Sequence, residues 1–125
     1  MNNFDRLNEV IKYIEDNLTY EISIEKICQI LCVNEYSLYR IFNFITGISL
    51  TEYIRNRKLS MAGLELINSK IKIIDLSLKY GYDSPISFSR AFKKFHGIKP
   101  SEVKQNSKYL KNFAPFTFTN NTSNN

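Results

Sequence analysis

Gly81-Tyr82-Asp83-Ser84-Pro85-Ile86-Ser87-Phe88-Ser89-Arg90-Ala91-Phe92-Lys93-Lys94-Phe95-His96-Gly97 is the stretch on which the reading of the fold turns. Gly81 suits a positive φ after a preceding helix. Asp83 or Ser84 can cap the next helix, and Pro85 fits its first turn. Phe88, Ala91, Phe92 and Phe95 fall at i, i+3, i+4 and i+7, which makes one buried stripe. Ile86, Ser89, Arg90 and Lys93 fall at the same spacing on the other side. A helix, a turn and a second helix with a basic and hydroxylic outer face is the layout of a helix-turn-helix reader.

Working outward, the same pattern recurs 50 residues earlier. Leu38, Ile41, Phe42 and Ile45 match Phe88, Ala91, Phe92 and Phe95; Arg40 matches Arg90, Gly47 matches Gly97, and Glu52 matches Glu102. The outer positions Tyr36, Tyr39, Arg40 and Asn43 answer to Ile86, Ser89, Arg90 and Lys93. Upstream of the turn the offset falls to 49, pairing Cys32 with Gly81, so the second turn is expected to be longer by one residue. Between the two motifs, Ser49 and Glu52 form a capping-box pattern that opens a long helix to about Asn68. Gly63 inside it should cost ~1 kcal/mol relative to Ala, so a close packing contact is expected there. A helix of about 20 residues spans about 30 Å, near the roughly 34 Å that separates successive major grooves on one face of a duplex.

Other elements follow from periodicity and caps. Phe4, Leu7, Ile11, Ile14 and Leu18 predict a first helix over 4–18. Ser23 caps a short helix to Leu31, Asn34 restarts one that runs to about Ile45, and Ile73 to Lys79 forms another. Pro100 is expected to start a last short helix through about Lys108. Phe113 to Thr119 then alternates apolar and polar residues as a strand does, with no strand partner in a helical domain. Residues 120–125 have the composition of a disordered tail. The fold class is all-α: two helix-turn-helix subdomains joined by a long linker helix, about seven helices in all.

Charge agrees with a polyanionic partner. Residues 1–53 carry four basic against eight acidic groups, and residues 54–125 carry thirteen against four. A split of −4 and +9 favours a polyanion near the second half, and a solvated basic surface would give the same count. No apolar run reaches the length of a membrane span and no signal-peptide pattern opens the chain, so a cytoplasmic protein with no membrane partner is expected. Cys28 and Cys32, on one helix face, read as small buried hydrophobes. Neither a nucleophile–His–acid set, nor a phosphate loop, nor metal-ligand spacing is present, so neither an enzyme nor a cofactor is expected. His96 reads as a charge partner for the end of its helix.

With these motifs in place, the chain from Phe4 to Lys108 resembles the AraC/XylS family of bacterial transcription regulators. Lys79-Tyr80-Gly81-Tyr82-Asp83-Ser84, then Phe88 to Lys94, then Gly97-Ile98-Lys99-Pro100-Ser101 carry most of the resemblance. Tyr53-Ile54-Arg55-Asn56-Arg57-Lys58-Leu59 with Ala62, Leu66 and Ile67 adds the linker. The resemblance implies a DNA-binding domain over 1–108, with the first helix-turn-helix at about 20–47, the linker at 49–68 and the second at about 73–97. It implies sequence-specific binding of double-stranded DNA by helices 35–45 and 85–96 in two successive major grooves, transcription activation, and RNA polymerase as partner. The residues placed at the DNA are Asn34, Tyr36, Tyr39, Arg40 and Asn43 in the first reader, and Ser84, Pro85, Ile86, Ser87, Ser89, Arg90, Lys93 and Lys94 in the second. The chain departs from the family at Cys32, where Gly is usual, at Pro85 and Ile86, where polar residues are usual, and at Lys99, a usual capping Ser. It is also similar to the branch with a GyrI-like effector domain. Residues 109–125 then read as a linker and tail that open such a domain, through which alone a small-molecule effector would act.

Singly, Arg40 and Arg90 suit a guanine edge or a phosphate; an exposed ion pair is the competing reading, and their recurrence at one repeat position favours DNA contact. Tyr36 and Tyr39 suit phosphates or thymine methyls, or an ordinary helix surface. Lys93 and Lys94 suit phosphates, since Lys is a point charge. The competing function is a helical protein–protein module that uses its aromatic surface.

Overall fold

The computed structural model describes residues 2–119. Among these residues there are six α-helices, two 3-10 turns and no strand. The helices are α1 (Asn3–Asp16), α2 (Ile24–Leu31), α3 (Glu35–Thr46), α4 (Leu50–Asn68), α5 (Ile73–Lys79) and α6 (Pro85–His96). The chain divides into two compact units, and α4 begins in the first and ends in the second.

The first unit holds α1, α2, α3, the start of α4 and residues 115–119. Asn2 and Asp5 close a capping box on α1, with Asp5 N–H on Asn2 Oδ1 at 2.8 Å. Ser23 caps α2, and Asn34 caps α3 by accepting Ser37 N–H at 2.8 Å. Leu7, Val10, Ile11 and Ile14 of α1 are buried in this unit, as are Ile27, Leu38, Phe42, Leu50 and Tyr53. The predicted inner stripe of α3 stops at Phe42. Ile45 is exposed because the last turn of α3 runs beyond the core, and Phe44 beside it is 89% exposed.

The second unit holds the rest of α4, then α5, α6 and the chain to Ala114. Leu59, Ala62 and Leu66 of α4 pack with Leu76, Tyr80, Phe88, Phe92 and Val103. Ser84 caps α6, Pro85 opens it, and Gly97 ends it at φ 83°. Gly63 does sit at a close contact. A Cβ there would lie 3.1 Å from His96 Nε2 and 3.3 Å from Leu110 Cδ2.

Several expectations are corrected. The helix predicted from Pro100 is two 3-10 turns, Pro100–Glu102 and Ser107–Tyr109. Between residues 101 and 109 only Val103 is buried, so no apolar stripe rewards a continuous helix. The cysteines are not buried: Cys28 is half-buried and Cys32 is exposed. His96 is not a surface charge but is 4% exposed, its Nε2 2.7 Å from the Leu59 carbonyl. Its Nδ1 accepts the Lys111 N–H at 2.9 Å, which makes Nε2 the protonated nitrogen.

The strand predicted over Phe113–Thr119 is absent through Thr119. The alternation serves a different surface, because side chains of helices stand where a neighbouring strand would. In the second unit, Ser60 Oγ accepts the Phe113 N–H at 3.1 Å and the Arg57 guanidinium donates to the Phe113 carbonyl. In the first unit, Tyr53 Oη accepts the Phe116 N–H at 3.2 Å. There too, Asn8 takes both the N–H and the C=O of Phe118. The disorder expected of residues 120–125 lies outside the described residues.

Candidate nucleic-acid interface

In the first unit, α3 presents one outer face built from its sequence period. Leu38 and Phe42 anchor the helix inward, so Tyr36, Tyr39, Arg40 and Asn43 point out and are exposed. Tyr36 is 70% exposed, and the Arg40 guanidinium lies over its ring at 5.4 Å from the centroid. That one-turn cation–π contact holds the Arg40 stem in place while leaving its donors outward. Tyr39 donates its hydroxyl to Glu35 Oε2 at 3.2 Å. Burial, then Glu35, push the Tyr39 phenol above its ordinary range, so it remains a neutral donor. Asn34 is exposed, but its side-chain oxygen is committed to the cap. The turn before α3 reverses through Cys32 at φ 60°, the one non-glycine with positive φ among the described residues.

In the second unit, Gly81 takes φ 84° at the matching place. From the positive-φ residue to the N-cap the turn runs from Gly81 to Ser84 here and from Cys32 to Asn34 in the first, one residue longer as the repeat offset requires, although between helix ends it is longer by two. Ser84 Oγ accepts the Ser87 N–H at 3.2 Å, and Ser87 Oγ donates back to the Ser84 carbonyl at 3.0 Å. Both hydroxyls therefore serve the cap. Ile86 is 67% exposed at the tip of α6. Arg90, Lys93 and Lys94 are exposed, whereas Ser84, Pro85 and Ser89 are half-buried. Ser89 is thus less outward than its spacing suggests. The basic residues in the last turn of α6 also suit the negative end of its dipole.

Sequence reasoning missed two groups. Lys58 lies beside the Gly81 turn and is half-buried, and loss of solvent lowers its ammonium pKa. The second group holds the chain after α6 and its 3-10 turns: Arg57 and Ser60 take Phe113 in the second unit, and Tyr53 and Asn8 take Phe116 and Phe118 in the first. Spacing of i, i+4 and i+7 on α4 was the available signal for Tyr53, Arg57 and Ser60; nothing in the sequence pointed to Asn8. No group of three or more metal-ligating side chains occurs among the described residues, and no described helix is long and apolar enough to cross a membrane.

Comparison with known proteins agrees with this geometry. A family profile described as a helix-turn-helix domain matches residues 27–106. The transcriptional activator AarP of Providencia stuartii is 40% identical over 95 residues, covering 76% of this chain and 70% of AarP. An AraC-type DNA-binding regulator from Chromobacterium violaceum shares the fold at TM-score 0.74 and 24% identity, over 81% of this chain and 90% of that one. The DNA-binding domain of AdpA, solved with a target DNA, shares it at TM-score 0.71 and 16% identity, over 84% of this chain and 92% of that one. From the matched profile, the AarP relative and the duplicated turn-and-helix, the chain belongs to the AraC-type helix-turn-helix family of transcription regulators.

Proposed function

We propose that this regulator reads double-stranded DNA with α3 and α6 in two successive major grooves. The observation that carries the reading is the recurrence of Arg40 at Arg90, both exposed, each on a capped helix that follows a positive-φ turn. In the first reader, Arg40 takes base edges, with Tyr36, Tyr39 and Asn43 beside it, and Asn34 acts through the α3 cap. In the second, Arg90, Lys93 and Lys94 grip phosphate. Pro85 and Ile86 offer apolar contact, and Ser84, Ser87 and Ser89 add hydroxyls that are partly committed elsewhere. Sequence information thus comes mainly from the first reader. The DNA-binding domain is taken as residues 1–108, with helix-turn-helix motifs at about 20–47 and 73–97 and the linker at 49–68; residues 109–125 are its tail.

AarP is an activator by name, and contact with RNA polymerase is the corresponding proposal here. The proposed place of action is the cytoplasm, where a bacterial regulator meets DNA, and the chain acts by binding and not by catalysis. Small-molecule control through a further C-terminal domain rests on the family resemblance alone, since residues 113–119 dock on helices.

Selection from a random duplex pool tests the reading. We expect an enriched site with two half-sites about one helical turn apart. Arg40→Ala should cost ~1–3 kcal/mol and relax one base position, and Arg90→Ala should weaken all sequences alike and flatten the salt slope by about 1. Unchanged specific and non-specific affinity in both variants would overturn the assignment of these faces and favour a protein–protein module.

A further inference from the structure

Residues 115–118 are bound in the manner of a ligand. Asn8 accepts the Phe118 N–H at 2.8 Å and donates to the Phe118 carbonyl at 2.7 Å. One carboxamide thereby supplies the donor and acceptor that a paired strand residue would supply. Two residues back, Phe116 stacks on the Tyr53 ring at 4.7 Å and 28° and donates its N–H to the Tyr53 hydroxyl. Phe118 sits edge-on to Phe116 at 6.4 Å. Pro115 and Thr117 are exposed between these anchors, so alternate residues are read and the others are not. The Phe116 ring also faces Phe42 at 6.4 Å, and Phe42 packs on Tyr53 at 5.5 Å. Phe42 belongs to α3 and lies about 200° around that helix from Arg40, on its opposite side.

We propose that Asn8, Phe42 and Tyr53 form a cradle for an extended aromatic-X-aromatic peptide, that this chain's residues 115–118 are its ligand, and that filling it fixes the pose of α3. The last clause rests on α3 being a DNA reader; the cradle itself does not. Phe42 is the inner bearing of the helix, and its neighbours set how far Arg40 and Tyr39 project. An empty Phe116 position removes the ring contacts that Phe42 and Tyr53 make with it, so the reading face loses registry with the base edges. Phe116 is then a positioning residue, with Asn8 and Tyr53 as its clamp.

The test uses the full chain carrying Phe116→Ala and Phe118→Ala, which vacates the cradle. A fluorescent peptide with the sequence of residues 114–119 should bind the vacated chain and fail to bind the unmodified chain, whose cradle is filled. Adding Asn8→Ala to the vacated chain should weaken the peptide about tenfold, as loss of a paired set of hydrogen bonds does. No binding, or equal binding to the unmodified chain, overturns the cradle. In parallel, the vacated chain should lose about tenfold in specific DNA affinity, through relaxed discrimination at the bases under α3, and the peptide should restore it. Peptide binding with unchanged discrimination overturns the positioning of α3. Should the unmodified chain bind no specific DNA, the DNA reading fails and the peptide result still stands. If the vacated chain does not fold, Asn8→Ala alone serves, since Ala is the better helix former. Its Phe116 and Phe118 peptide bonds should be cleaved faster by chymotrypsin, and an unchanged rate overturns the clamp.

Discussion

Cys32 and Gly81 occupy equivalent places and share left-handed backbone, at φ 60° and 84°. For an L-residue with a Cβ this conformation costs about 1–2 kcal/mol, partly offset because glycine loses more freedom on folding. Cys32→Gly should therefore stabilise the protein by about 0.5–1 kcal/mol, read as a rise in the urea midpoint with unchanged slope. The departure at Cys32 was legible in the sequence, because the repeat aligned it with a turn glycine. His96 was not legible. Its partners are the Leu59 carbonyl and the Lys111 N–H, main-chain groups that every residue carries and no spacing reveals. Burial chiefly, and Lys111 as well, lower the His96 pKa below its ordinary 6.5, against the opposing pull of the Leu59 carbonyl. The unfolded chain thus takes the proton more readily. Stability is complete above pH 6.5 and falls as pH drops through that value towards the folded pKa. Urea unfolding between pH 7 and 5 should show this loss, at no more than about 1.4 kcal/mol per pH unit. A flat profile would mean that His96 is protonated as easily in the native state. The Gly63 contact was anticipated, but its partner was not: a ring pinned at both nitrogens stands over the missing Cβ.

Helices were readable where cap and stripe agreed. Asn34, Ser49 and Ser84 each hold the first turn of the helix they were expected to start. Where a start signal or an alternation stood without a helical stripe, the reading failed. Beyond Pro100 there is a start signal but no stripe, and the chain makes 3-10 turns. There the Lys99 N–H is taken by Glu102 Oε1 at 2.9 Å, so the Glu half of the cap persists without a capping serine. Over residues 113–119 there is a strand stripe without a sheet. Pattern reports which residues face apolar surface, but not whether that surface is a strand or a helix; Tyr53 and Asn8 supplied the unforeseen partner. Helix α5 is the reverse case, a stripe without a side-chain cap, because Lys72 at its N-cap makes no such bond. Its extended backbone, φ −74° and ψ 147°, already suits a cap. Lys72→Asp should add about 1 kcal/mol of stability through the cap and the helix dipole, measured as a higher midpoint of thermal unfolding.

At the scale of the molecule, the repeat made most of the architecture legible, since two copies of one pattern constrain each other more than either does alone. Charge pointed to a polyanion but not to its place: the exposed basic set of α6 needed the helix to sort Lys93 and Lys94 from the inward Phe92. The composition of the first unit, residues 2–17, 21–53 and 115–119 of those described, also bears on the order of folding. Asn8 and Phe118 bond across 110 residues of chain. Contacts of such separation form late, because closing the loop costs entropy before the contact returns anything. On the ribosome α1 would wait for residues 115–118, made long after it, while the second unit, continuous from Ile54 to Ala114 apart from residues 18–20, has almost all its own residues earlier. Synthesis itself would therefore ripen the two readers in the reverse of their order along the chain.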